Sequence, residues 1–261
     1  MADRVVTDLS DVRLRSGMGA AITSEFLQLN SFDMMSVSDD FIDISNADMA
    51  NRYQRSYSGT GVTITAASPD ADQPWGSARM STGTTNDSTS TMSLGLICRA
   101  EYNAVMAVRY KINDIADCKI EIGFRDSTAS ATGIVNVLQT PSFNATNGCC
   151  WVYDNDATVD TWAAEGVKAG SAATGVTLAT GAGGAAPVAD TYQTMVVALM
   201  ENNAYFSRYS ADGRKQGETI MLNDCITAAT PVTPSVFFQT RDTTARHLDM
   251  DFFKMWQLRR S

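Results

Sequence analysis

From about Val37 onward, apolar and polar residues alternate in short runs broken by polar turns, which predicts an all-β chain. Side chains alternate between the two faces of a strand, so Val105 to Ile112 places Met106, Val108, Tyr110 and Ile112 on one face. Ala107, Arg109 and Lys111 fall on the other. Cys118 to Phe124 repeats the pattern, with Lys119, Glu121 and Arg125 opposite the apolar face, and Asn113 to Asp117 is expected to join the two as a hairpin. Tyr192 to Met200 is apolar on both faces and reads as a covered central strand. Asn202 and Asn203 suit a tight turn into Asn203 to Ser210. Asp212 and Gly213 then supply the positive φ of a further turn into Glu218 to Leu222.

The closing strands are expected at Pro234 to Thr240 and His247 to Leu258, the latter with Leu248, Met250, Phe252, Trp256 and Leu258 on one buried face. Earlier strands are expected at Phe41 to Ile44, Arg52 to Tyr57, Gly61 to Ala66 and Thr91 to Cys98, later ones at Trp151 to Tyr153 and Val159 to Trp162. Ser68 to Ser90 and Gly166 to Val188 are rich in small and polar residues and read as surface loops. No fixed-period repeat appears, which argues against propellers and solenoids. Residues 1–36 lack sustained alternation and read as an N-terminal arm, with one short helical turn around Ser24 to Leu29; residues 37–261 read as one β-sandwich domain.

Composition narrows the function. A formal net charge of -9 over 261 residues repels phosphate backbones, and no basic run offsets it, so nucleic acid is not an expected partner. The charged N-terminus lacks the apolar core of an export signal, and no apolar run is long enough to span a bilayer, so no membrane partner is expected. The odd set Cys98, Cys118, Cys149, Cys150 and Cys225 reads as buried thiols rather than disulfides or zinc ligands.

Three stretches carry a family resemblance: AVRYKINDIADCKIEIGFRD (107–126), YQTMVVALMENNAYFSRYSADGR (192–214) and VFFQTRDTTARHLDMDFFKMWQ (236–257). Together they resemble the concanavalin A-like, or laminin-G-like, jelly-roll module, a two-sheet antiparallel sandwich. Such modules, preceded by an arm, resemble structural proteins of tailed bacteriophages. That resemblance implies a non-catalytic virion protein, first of all a capsid decoration protein. It would be made in the host cytoplasm, associate with itself, and dock on the major capsid protein or other virion proteins. The alternative is a carbohydrate-binding or host-recognition module of a tail fibre, with a glycan as partner.

Candidate chemistry is sparse. His247 is the only histidine, with Asp249 and Asp251 on its strand face, but no nucleophile is identifiable for a triad. EIGFRD (121–126) approaches the paired-carboxylate strand of sandwich glycosidases, yet Gly123 replaces the middle acid and Asp126 faces away from Glu121. No catalytic residue and no obligatory cofactor follow. Asp154, Asp156, Asp160 and Glu165 imitate the spacing of a calcium loop, although Val159 stands where the turn needs glycine. Trp75, in QPWGS, is the candidate sugar-stacking residue, ahead of Trp151 and Trp162; core packing is the competing role for all three.

Overall fold

The structure is a computed structural model that describes residues 34–42, 45–67, 76–128, 131–138, 142–178 and 185–259. In chain order the strands begin β1 (Met34–Asp39), β2 (Gln54–Ser58), β3 (Thr63–Ala67), β4 (Ser77–Ser81), β5 (Thr89–Ser93) and β6 (Val105–Ile112). Helix α1 (Asn46–Arg52) lies between β1 and β2. The chain continues with β7 (Cys118–Arg125), β8 (Val135–Val137), β9 (Ser142–Phe143), β10 (Gly148–Asp154), β11 (Ala163–Lys168), β12 (Ser171–Ala172) and β13 (Val176–Thr177). It ends with β14 (Gln193–Met200), β15 (Asn203–Tyr209), β16 (Ile220–Leu222), β17 (Thr233–Thr240) and β18 (His247–Leu258).

Two eight-stranded antiparallel sheets form a jelly-roll sandwich. The first runs β16-β15-β14-β6-β18-β4-β3, with β1 also on β18; the second runs β12-β11-β10-β7-β17-β5-β2, with β13 also on β11. Their inner faces supply the core. Trp151 of β10 packs edge-on against Phe206 of β15 at 5.4 Å, and its indole N–H donates to the Val196 carbonyl across the sandwich at 3.3 Å. Trp162 completes the aromatic cluster edge-on to Trp151. Both tryptophans are core residues, which removes them as sugar platforms.

Several sequence expectations change. β6 and β7 are not a hairpin: β6 pairs with β14 and β18, whereas β7 pairs with β10 and β17 in the opposite sheet. Their apolar faces meet across the core, and residues 113–117 cross between sheets. β17 and β18 are divided in the same way. The turn after β14 falls one residue earlier than expected, with Met200 opposite Asn203 and Glu201 at φ 54. Gly213, at φ 77, makes the next turn as expected.

Strand β18 changes face midway. Its register against β6 slips by one residue between Met250 and Phe252, so Asp251 is a bulge. Leu248, Met250, Phe253 and Met255 therefore fill the core, while Phe252, Trp256 and Leu258 lie on the outer face. The serine- and glycine-rich stretch 68–90 contains β4, a strand paired on both sides, and 166–188 contains β12 and β13. Phe41 is a buried residue outside any strand, and Val159 to Trp162 is a connection. The expected arm boundary at residue 37 falls inside β1, whose Met34 pairs with Leu258. The helical turn at 24–29 lies outside the described residues. Ser45 caps α1, with Asp48 reciprocating in a capping box.

Candidate functional site

Four connections converge at one end of the sandwich: 82–88, 113–117, 155–162 and 241–246. Three of them carry the chain from one sheet to the other, so strand crossover itself assembles this surface. Asp87 (φ 60) and Asp117 (φ 45) hold left-handed turn positions that aspartate tolerates better than most residues. The end is thereby loaded with carboxylates.

Two arginines organise them. Arg241 grips Asp154 with both arms, Nε to Oδ1 at 3.2 Å and a terminal nitrogen to Oδ2 at 2.6 Å. It also reaches Asp87 at 3.3 Å and Asp156 at 3.4 Å. Burial works against the Arg241 cation, but Asp154, Asp156 and Asp87 more than compensate and raise its pKa. Arg246 is buried beneath the same end, bonded to Asp242 and to the Thr240 hydroxyl at 3.0 Å, with Asp114 at 3.5 Å and Asp117 at 3.7 Å. Its hydrogen bonds hold the Asp242 carboxyl well below the usual carboxylate range. The result is a frame of one buried guanidinium, Arg246, and one partly buried, Arg241, with side chains of Asp87 (56 % exposed), Asp117 (53 %) and Asp156 (62 %) presented to solvent. Gln239 donates to Asp87 at 3.0 Å and fixes its orientation.

The calcium candidates do not come together. Asp154 is nearly buried and neutralised by Arg241, while Asp156 and Asp160 are exposed. Glu165 sits opposite Cys150 on the outer face of the second sheet, well along β11 from the turn. Among the described residues, no group of three His, Cys, Asp or Glu side chains could hold a metal ion. The loop spacing fails because 154 ends a strand and 165 lies within the next, so the chain never wraps around a centre. Trp75 lies outside the described residues.

Glu121, the leading acid of EIGFRD, is buried rather than exposed. It pairs with Lys119 at 3.0 Å and accepts backbone N–H groups of Ile134 and of Val135, the latter at 3.1 Å. Lys119 donates to the Val135 carbonyl and Arg125 to the Thr132 carbonyl at 2.8 Å. The strand's charged face thus anchors the 131–137 segment. Gly133 makes this approach possible, since a Cβ there would lie 2.4 Å from the Glu121 carboxylate. Nearby, Glu165 has a carboxylate oxygen without a hydrogen-bond partner, and burial pushes its pKa up to about 7.

His247 lies opposite Ser81 on the neighbouring strand β4. Asp249 is 3.9 Å from the imidazole and spends both oxygens on Arg79, at 2.7 and 2.8 Å. Burial lowers the His247 pKa, with Asp249 opposing. This is a cross-strand ion pair beside a histidine and lacks the nucleophile–base contact of a triad. Arg241, Arg246 and Asp87 were not singled out from the sequence. The alternation RDTTAR before β18 is their one local sign, and only the crossover brings Asp87 to them.

No protein-family model and no curated protein matches the chain. Solved structures do resemble it. A protein of unknown function from Shewanella oneidensis MR-1 superposes with a TM-score of 0.55 at 13% identity, covering 94% of this chain and 97% of that one. Peanut lectin, solved with a nine-residue peptide, gives 0.56 at 11% identity over 87% of this chain and 99% of its own. The exoplasmic/lumenal domain of VIP36, solved with Ca2+ and Man2, gives 0.53 at 12% identity over 88% and 92%. None of these comparisons links the chain to a bacteriophage or its particle. They show the fold, a concanavalin A-like sandwich of the kind legume lectins have.

Proposed function

We propose that this protein is a non-catalytic carbohydrate-binding protein that recognises glycan hydroxyls at the acidic loop end. The observation that carries the reading is the frame just described: exposed Asp87, Asp117 and Asp156 oriented by arginines that are themselves fixed by buried partners. Ionised carboxylates are acceptors for two neighbouring hydroxyls, and a preorganised set binds with less ordering cost than mobile side chains. The architecture supports it as well, since lectins and a mannose-bound lumenal domain are among the fold's neighbours. Non-catalytic binding accords with Glu121 committed to the 131–137 segment and Asp249 committed to Arg79.

Calcium does not fit this site. Arg241 supplies the positive charge between Asp87, Asp154 and Asp156, and a divalent ion would have to displace it. A glycan array probed once with calcium and once with a chelator tests both parts. Binding to a defined glycan class under both conditions is expected. An array without signal would remove the carbohydrate reading, and binding abolished by chelation would remove the calcium-free site.

A further inference from the structure

Two of the buried cysteines face each other. Cys149 lies on the inner face of β10, in the core between the sheets, while the next residue, Cys150, packs on the outer face. Directly across from Cys149 on β11 is Gly166, which has no side chain to offer. Cys225, in the turn after β16, fills that place, because a Cβ added to Gly166 would stand 2.7 Å from the Cys225 Cβ. Cβ atoms directly opposed on neighbouring strands are about 4.5–5.5 Å apart. Cys225 therefore stands towards Cys149 as a cross-strand partner would, near the roughly 3.5–4.5 Å that separates the Cβ atoms of a disulfide. A hydrogen bond joins the two thiols.

We propose that Cys149 and Cys225 are a redox-sensitive pair that a hydroperoxide closes into a disulfide. The hydrogen bond from Cys149, helped by the backbone N–H groups of Cys225 and Ala204, lowers the Cys225 pKa, whereas burial holds Cys149 well above its ordinary value. Cys225 is thus the nucleophile, since the thiolate is the reacting form, and it adjoins the exposed Asn223 and Asp224. Its sulfur takes one oxygen from hydrogen peroxide as the O–O bond breaks, giving a sulfenic acid and water. The Cys149 sulfur then attacks, the S–S bond forms as the S–O bond breaks, and the hydroxyl leaves as a second water with the Cys149 proton. Two thiols lose two electrons and one peroxide becomes two waters. The bond staples the sheets together. The Cys225 N–H donates to the Asn202 carbonyl at 2.8 Å and the Asp224 N–H to Asn203 Oδ1 at 3.0 Å, which fixes this turn to the β14–β15 hairpin of the first sheet. β10 belongs to the second sheet. Cys149 is near the start of β10 and Asp154 at its end, so the staple sits away from the acidic loops and glycan binding does not depend on it.

Hydrogen peroxide added to the reduced full-length protein, folded in one sample and refolding from urea in another, tests the pair, with free thiols counted after denaturation. Three of the five cysteines should stay titratable, and a dithiol reductant should restore all five. Tandem mass spectrometry of a tryptic digest should find peptides 126–168 and 216–241 joined through Cys149 and Cys225. The oxidised protein should unfold at a higher urea concentration than the reduced one, because closing so long a loop restricts the unfolded chain, and the gap should vanish in Cys149→Ser. Five free thiols in both samples, a bond through Cys150, a bond between two molecules, or sulfinic acid without a bond would each overturn the proposal. The peptide map uses the unaltered chain, so it decides even if Cys149→Ser fails to fold.

Discussion

Two adjacent phenylalanines in β18 test the bulge that divides this strand. Phe253 is fully buried, edge-on to Tyr53 at 5.8 Å, and belongs to the core between the sheets. Phe252 is half-buried on the outer face, with the Lys254 ammonium 4.8 Å from its ring centre. Truncating a buried phenylalanine to alanine removes its transfer energy and leaves a cavity, a loss of about 3–5 kcal/mol. For a domain of this size each kcal/mol lowers the melting temperature by about 2–4 °C, so Phe253→Ala should melt roughly 6–20 °C below the parent. Phe252→Ala forfeits only part of its burial and a cation–π contact, about 1–2 kcal/mol. Thermal melts of both variants at one pH, checked by urea midpoints, make the comparison. If Phe252→Ala proved the more damaging, the register slip at Asp251 would be wrong and the regular alternation of the strand would stand.

The Lys119–Glu121 pair is buried on both sides, so Glu121→Gln should cost about 3–5 kcal/mol in urea unfolding by stranding the ammonium, with a Lys119→Met/Glu121→Leu double variant recovering much of it. Glu165 has a folded-state pKa of about 7 against an ordinary 4.5, so between those values the folded state holds a proton that the unfolded state has lost, and stability falls as pH rises. Glu165→Gln should therefore match the parent below about pH 4.5 and exceed it above pH 7 by about 3 kcal/mol, read from melts across that range. A thiol reagent should leave the folded protein untouched and titrate all five cysteines only after denaturation, since each is buried and burial pushes Cys98, for example, up to about 12.

Local patterns were readable where partners are sequence neighbours. The β14–β15–β16 meander followed from alternation and from Asp212-Gly213, because a hairpin's register is set by its own turn. Sheet membership was not readable for β6 and β7: each has one apolar face, and nothing local distinguishes two strands side by side from two strands face to face. β4 escaped because Ala78 and Met80 are its only large or apolar inward residues, while hydrogen bonding from both neighbours holds it in place. In β18 the pair Phe252-Phe253 offers an apolar side chain to either face, so the period-2 pattern cannot reveal the bulge. Of the candidate site, the acidic turn at Asp154 and Asp156 was visible, but its meaning was not. Arg241, distant in sequence, converts it from an apparent metal loop into an ion-paired frame.

Titration calorimetry of a glycan selected on the array, against the parent and an Asp87→Asn/Asp156→Asn variant, tests the central claim most directly. Both substitutions keep side-chain size while removing the exposed charges that flank Arg241. The account predicts measurable binding to the parent and at least a tenfold weaker association for the variant, with the two proteins melting together. A variant that binds as tightly as the parent would contradict the placement of the site at the acidic loop end, and a parent that binds no glycan would contradict the function itself.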